Sequence, residues 1–546
     1  MNRVVRVPNP SPAQRSLSAR SDPGETTDTS GFSGAFPRPR ELAGLTEMWR
    51  HTRLTLLSGE SGVGKSHLVE RAARSLKDAL PVGRVTHRPA FPMTVLPPQN
   101  PFVFPLLSCW FPDVPPTRLA DADLTGFLRA ATGAGPYRES APVLLCVDQA
   151  EPLFQPSPHE PANREAERAA FRALLGRTLT DLPHLRLLLV VRDTHLDEAK
   201  AFAETAAPGV STGALTVRRL TPADAAAATA GDDAAAPVVG AVVEELCTVR
   251  RGDGHRVRTS SFDPGLFQAA YRAVAERAAA HDPRFDPAAE VDAALALHLT
   301  QTLNLVADDH AWISRIELER GFRAVFVDQT APGPLDDRWT SVLRALEDRG
   351  LLTSVRDAGG TGYTLRHRKL VDAARAPSGG LVPLIRPTGE ARLRESAAAL
   401  WHGDHALARA HAESVARAHA ETHDPAEPGA RRTGGEEPDP VVGAHALCLL
   451  GDITHARGTA DGSADSLARG AHEAVACYER AALILTAAGN APLVAYLLAA
   501  IGLLTLPEDP VSALHKLHSA AARVPGDTFI QSTLTRALTR TNSPKG

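Results

Sequence analysis

Leu54–Ser66 reads LTLLSGESGVGKS. Its second part, Gly59–Ser66, satisfies G-x-x-x-x-G-K-[ST] at every fixed position. Glycines let a backbone curl until successive N–H groups face phosphate oxygens. An apolar run precedes the loop, and the amphipathic stretch HLVERAARSL follows it. A helix there would turn its positive end toward the same anion. The pattern predicts a phosphate site lined by Gly59, Glu60, Ser61, Gly62, Val63, Gly64, Lys65, Ser66 and His67. Lys65 would reach the β- and γ-phosphates of a nucleotide, and the Ser66 hydroxyl would bind Mg²⁺.

Such a loop needs a second carboxylate-bearing strand, and VLLCVDQAEPLF (Val143–Phe154) supplies it. A carboxylate at the end of a buried strand is costly unless it meets a cation or donors. Asp148 therefore reads as the magnesium ligand, and Glu151 as the residue that orients or deprotonates an attacking water. The alternative for both is a helix-capping carboxylate. LRLLLVVRD (Leu185–Asp193) is a third apolar run, and it ends in Arg192. Ligands of open α/β sheets sit outside the carboxyl ends of the strands, so Arg192 reads either as a γ-phosphate sensor or as a surface partner of Asp193 or Asp197. The continuous apolar character of these runs predicts a parallel sheet covered on both faces, hence an α/β layered domain.

The whole chain, 546 residues, carries 59 basic and 63 acidic side chains, a net charge of −4. That balance gives no global field for nucleic acid. Five scattered cysteines argue against a disulfide framework or zinc site and for a reducing, cytoplasmic setting. No apolar run of about 18 residues suggests a membrane span. Residues 1–35, rich in Pro, Ser, Gly and Thr, read as a disordered tail too short to fold into an effector domain.

The remaining organisation follows from pattern. Residues 36–219 form the α/β domain, and 220–300 read as a mostly helical subdomain broken at GDD and RRGDG. Within 301–377, the helix Trp339–Arg349 precedes LLTSV and YTLRH, which meet across a Gly-rich turn. Helix then strand–turn–strand is the pattern of a winged helix, with His367 at the end of its hairpin, where it reads either as a contact to a nucleotide's β-phosphate or as an ordinary exposed histidine. Residues 386–546 are Ala-rich and helical, with a polar loop at 421–440 and weak internal repeats. FPRPREL (Phe36–Leu42) reads either as a flap over adenine that includes Arg38 or as a Pro-rich helix start.

Taken together these segments resemble the STAND ATPases, P-loop signalling switches, in their bacterial novel STAND class. FPRPREL is similar to that class's F-G-R-E-R-E-L, keeping Phe36, Arg38, Glu41 and Leu42. GESGVGKS is its Walker A motif, and VDQAEPLF is similar to its Walker B motif VVDQFEELF. FDPGLFQAAYRAV (Phe262–Val274) is similar to its V-x-P-x-L-L-Q segment, and LRHRKLVDA to its T-H-E-x-L-V, with His367 in place and Arg368 where the glutamate stands. The C-terminal third is similar to degenerate tetratricopeptide (TPR) repeats. The resemblance implies ATP or GTP, or ADP after hydrolysis, with Mg²⁺, held between the α/β domain and the winged helix. It also implies a closed ADP form, an ATP form able to self-oligomerise, and repeats that bind a ligand or protein partner.

Three functions remain in view at this level. One is a slowly hydrolysing STAND switch; another is a AAA-type remodelling or loading ATPase. A third is a nucleotide-dependent transcriptional regulator using the winged helix and its RHRK cluster, although no further DNA-binding module is expected beyond the repeats.

Overall fold

The continuous apolar runs become neighbouring strands. In the computed structural model β1 (Leu54–Ser58), β2 (Val143–Val147), β3 (Leu185–Val190) and β4 (Thr212–Thr216) form one sheet in the order β2-β3-β1-β4. Every pairing is parallel, with Leu54 opposite both Leu187 and Thr212, and Val143 opposite Leu185. The structure describes residues 36–97, 100–120, 122–132, 142–154, 160–161, 163–250, 255–279, 285–310, 312–328, 337–357, 360–375, 388–422 and 439–542. The tail expected at 1–35 and nearly all of the loop expected at 421–440 lie outside the described residues.

β1, β2 and β3 are buried along almost their whole length, as a sheet covered on both faces requires. β4 alternates exposed and half-buried positions, the behaviour of an edge strand. Around the sheet lie α1 (Pro39–His51), α2 (Lys65–Ser75) and α3 (Leu196–Ala206). Leu45 and Trp49 of α1 and Leu68, Val69 and Ala72 of α2 pack into one core with Leu57, Leu188 and Val190. Fully burying one large apolar side chain stabilises by roughly 1.5–3 kcal/mol, so this helix–sheet core fixes where the P-loop emerges. Because β3 lies between β1 and β2, the carboxyl ends of all three converge on one edge, which carries Gly59, Asp148 and Arg192.

The chain folds as two units. The first holds Met1–Val82, Thr125–Glu151 and Leu175–Ile385, and the second Gly83–Leu124, Pro152–Leu174 and Arg386–Gly546. Two stretches inside 36–219 thus pack with C-terminal helices. A reading by contiguous segments has no access to that, because it rests on contacts hundreds of residues apart.

In the first unit the sheet is followed by α4 (Ala235–Cys247), the short hairpin β5 (Thr248–Arg250) and β6 (Arg256–Arg258), α5 (Pro264–Ala279) and α6 (Pro287–Asp309). Then come the helix Arg315–Phe326, α7 (Asp337–Asp348), the hairpin β7 (Leu352–Asp357) and β8 (Gly360–Leu365), and α8 (Lys369–Arg375). β7 and β8 pair antiparallel from Leu352 with Leu365 to Asp357 with Gly360. Phe262, Phe267, Leu295, Phe322, Leu346 and Leu370 share a core with Phe36, whose ring meets Phe267 edge-on at 4.9 Å. Phe36 thereby ties the segment before α1 to the helices after the sheet.

The second unit is dominated by α9 (Gly389–Trp401), α10 (His405–Thr422), α11 (Pro440–Asp461), α12 (Ala464–Ala487), α13 (Ala491–Thr505), α14 (Pro510–Arg523) and α15 (Thr528–Asn542). Asp439, Ser463, Asn490 and Asp509 cap successive helices by accepting backbone N–H groups. The small residues of LLGDITHARG serve close helix crossing. A Cβ on Gly451 would fall 2.3 Å from the Tyr478 ring, and one on Gly458 would fall 2.6 Å from the Ser466 carbonyl oxygen.

Candidate nucleotide-binding site

The loop between β1 and α2 owes its shape to its glycines. Gly62 and Gly64 have φ of 65° and 100°, a region that disfavours side chains. Gly64 is the N-cap of α2, so the helix starts at Lys65 and its first N–H groups open onto the loop. Lys65 Nζ donates to the carbonyl oxygens of Gly59 and Glu60, each at 2.7 Å. Burial pushes this ammonium down to about 8, against the pull of Glu151, Asp193 and Asp148. A buried lysine held only by neutral carbonyls is one whose charge is better satisfied by an anion.

The Walker residues meet across the sheet edge. Ser66 Oγ donates to Asp148 Oδ1 at 3.1 Å, and Asp148 is buried. Gln149 takes a left-handed conformation with φ of 54°, which turns the chain directly after that aspartate. Glu151 Oε1 accepts the backbone N–H of Arg192 at 2.8 Å. Burial raises the Glu151 carboxyl above its ordinary value, while Arg192 and Lys65 pull it back. The end of β2 is thus pinned to the end of β3.

Arg192 itself reaches away from the loop. Its Nη1 lies 2.6 Å from Glu347 Oε2 and its Nη2 2.9 Å from Asp348 Oδ1, both on α7. Burial works against the charge, but Asp348, Glu347 and Glu151 together hold this guanidinium above its usual value. Glu347 is itself fixed by the Ser354 N–H at 3.0 Å and hydroxyl at 2.7 Å on β7. The near partners of Arg192 on α7, Glu347 and Asp348, are ones that neither of the two sequence readings named.

Three further arginines surround the loop. Arg38, itself in a left-handed conformation with φ of 44°, donates to Val63 O at 3.0 Å and Arg218 O at 2.9 Å. It braces the loop through its carbonyl, and α1 begins at Pro39 as the Pro-rich helix-start reading has it. Arg219 binds Glu60 Oε2 through Nε at 2.8 Å and Nη2 at 2.6 Å. Arg366, directly after β8, lies over Gly62 and is ion-paired with Asp263. His367 is buried beside it, and its Nδ1 accepts the Lys369 N–H at 3.2 Å. Burial lowers His367 to about 4, helped by Arg219 and Lys369. His67 is exposed at the start of α2.

Residues 26–251 match the family model Novel STAND NTPase 1. This part of the chain is a novel STAND NTPase domain. Its Walker A and Walker B motifs are the loop at Gly59–Ser66 and the β2 end at Asp148. Solved structures similar to the chain include the Walker-type ATPase PABY2304 of Pyrococcus abyssi, at 16% identity over 62% of this chain and 96% of that one, with a TM-score of 0.36. Others are the Aeropyrum pernix ORC1 protein in complex with DNA (12% identity, 64% and 94% coverage, TM-score 0.33) and the Aeropyrum pernix ORC2 protein in ADPNP–ADP complexes (15%, 62% and 93%, 0.32). No curated protein matches the chain.

Around the STAND domain's phosphate loop the sequence motifs do not point out Arg219, Asp263, Glu347, Asp348 or Arg366 as a group. Arg366 is the first residue of the RHRK cluster, whose even charge gives no clue that Arg366 and Lys369 are buried. Lys369 Nζ is spent on Glu245 at 2.9 Å and Asp292 at 3.1 Å. Among the described residues no helix is long and apolar enough to cross a membrane.

Proposed function

We propose that this protein is an ATP-driven switch, in which the nucleotide held by the STAND domain sets whether the α7–β8 segment stays docked at the phosphate site. The observation that supports this reading is the span of Arg192. One arginine at the end of β3 touches Glu151 on the nucleotide side, at 3.7 Å, and Glu347 and Asp348 on the α7 side. A ligand shifts such an equilibrium only through contacts that differ between states. A γ-phosphate offers Arg192 a competing anion where a diphosphate offers none, so ATP favours release of α7 and ADP favours its retention.

The hydrolytic parts suit slow turnover. Ser66 Oγ and Asp148 Oδ1 are oxygen donors of the kind a hard divalent cation takes. Mg²⁺ bound there would neutralise phosphate charge. Glu151 is the residue we assign to the attacking water, and its raised carboxyl makes it a better base than an ordinary glutamate. While its Oε1 holds the Arg192 N–H, its freedom to act on water is limited, which fits a timer rather than a metabolic enzyme. In this reading α7, β7 and β8 form the winged helix, and α9–α15 are TPR-like repeats that receive a protein partner or ligand in the cytoplasm. Release of α7 would permit self-association. A AAA-type remodeller remains the second reading, because the same parts serve steady turnover. The regulator reading loses its main support, since two cations of RHRK are buried and paired.

Light scattering on the purified protein tests the proposal. ADP-loaded protein should differ in size or hydrodynamic radius from protein loaded with a slowly hydrolysed ATP analogue. One unchanging species under both nucleotides would remove the switch reading, and a preformed ring with fast turnover would favour the remodeller.

A further inference from the structure

We infer that Arg366 is a ligand of the nucleotide's phosphate chain, aimed by Asp263. This rests on the reading of the P-loop as a nucleotide site. Arg366 is 6% exposed and Asp263 is 2% exposed. Its Nε is committed to Asp263 Oδ2. Asp263 is in turn fixed by the backbone N–H groups of Gly265 at 2.8 Å and Leu266 at 3.1 Å, at the start of α5. Among the described residues neither Nη1 nor Nη2 of Arg366 has a hydrogen-bond acceptor, and both face the P-loop. A Cβ built on Gly62 would stand 2.4 Å from each of these two nitrogens.

With Nε held by Asp263, the guanidinium is aimed so that both amino groups lie beside Gly62, at the face of the loop where a phosphate would sit. The paired amino groups of arginine match two oxygens of a phosphate, which a lysine cannot do. The Gly62 position has no side chain to intervene, and its φ of 65° keeps it glycine. Lys65 Nζ is held by two backbone carbonyls, and a second cation of fixed charge adds to what the loop offers a phosphate. His367, one residue on, is neutral and turned to the Lys369 backbone, and it does not present a charge to the loop. The contact comes from the segment after β8, so phosphate binding also holds that segment to the P-loop.

Titration of the full chain with ADP and with inorganic pyrophosphate tests this, using wild type, Lys65→Ala, Arg366→Gln and Arg366→Lys. The double variant Asp263→Asn/Arg366→Gln removes both charges together and so leaves no orphaned buried carboxylate. Arg366→Gln and the double variant should each weaken ADP and pyrophosphate by the same factor, roughly 10- to 100-fold, with Arg366→Lys in between. Loss of ADP affinity with pyrophosphate binding intact would make Arg366 a structural support and overturn the proposal. So would wild-type affinity in the double variant while Lys65→Ala fails to bind, a result that leaves the nucleotide site itself standing. Absence of binding by the wild type would overturn both readings.

Discussion

At the P-loop edge of the first unit, buried cations face a glycine loop. Around Asp452 in the second unit, a buried anion is enclosed by its own partners. Asp452 accepts from Arg88 Nη1 at 2.8 Å, the Met93 N–H at 3.0 Å and the Tyr478 hydroxyl at 2.7 Å. Burial still pushes its carboxyl above the ordinary range, with Arg88 opposing. Lys65 has only carbonyls, and Arg366 has two amino groups without acceptors among the described residues. The difference separates two uses of buried charge. A closed cluster specifies how residues 88–94 lie on α11 and α12, whereas an unclosed one waits for an anion.

The comparison can be broken by moving the same kind of lesion between the two places. Glu151→Gln should have the largest effect, slowing hydrolysis by roughly 10²- to 10⁴-fold in a phosphate-release assay while nucleotide binding persists. Unaltered turnover would remove Glu151 from the chemistry. Lys65→Ala should weaken ADP binding on the order of 100-fold, read by calorimetry, and leave the melting temperature close to wild type, because its Nζ is held only by the carbonyls of Gly59 and Glu60 in the loop. Asp452→Ala should do the reverse. It leaves Arg88 and the Met93 N–H without this acceptor and the Tyr478 hydroxyl with only the Thr94 hydroxyl, costing about 2 kcal/mol in denaturant unfolding, with ADP affinity unchanged. Arg88 is 28% exposed, so water can take over part of what it loses.

A smaller effect concerns pH. His87 and His445 in the second unit and His367 in the first are all lowered to about 4 by burial. Their folded-state values lie below the ordinary 6.5, so the fold holds the neutral rings. The stability they contribute is whole above about 6.5 and is lost as pH falls toward 4. Melting curves from pH 7.5 to 4.5 should show the loss, and His445→Gln should remove the part that His445 contributes. A flat wild-type profile would contradict the assignment.

Much of this was legible in the sequence where the signal is local. The apolar runs at Leu54, Val143 and Leu185 announce β1, β2 and β3, and the glycine spacing announces the loop. β4 escaped because TGALT has no apolar run and lies at the sheet edge. The hairpin at Thr248–Arg258 lies inside a stretch whose alanine content reads as helix. Glu347 and Asp348 lie more than a hundred residues from Arg192, as Asp263 does from Arg366, and no spacing rule connects them. Membership of residues 83–124 in the second unit is hidden for the same reason.

The central claim is that a triphosphate releases α7 from Arg192. Hydrogen–deuterium exchange of the full chain, loaded in turn with ADP and with a slowly hydrolysed ATP analogue, addresses it directly. Amides of α7 and of the β7–β8 hairpin should exchange faster in the ATP-analogue state than in the ADP state, and Glu347→Gln/Asp348→Asn should erase the difference by freeing α7 in both. Equal protection of Asp337–Leu365 under the two nucleotides would contradict the account.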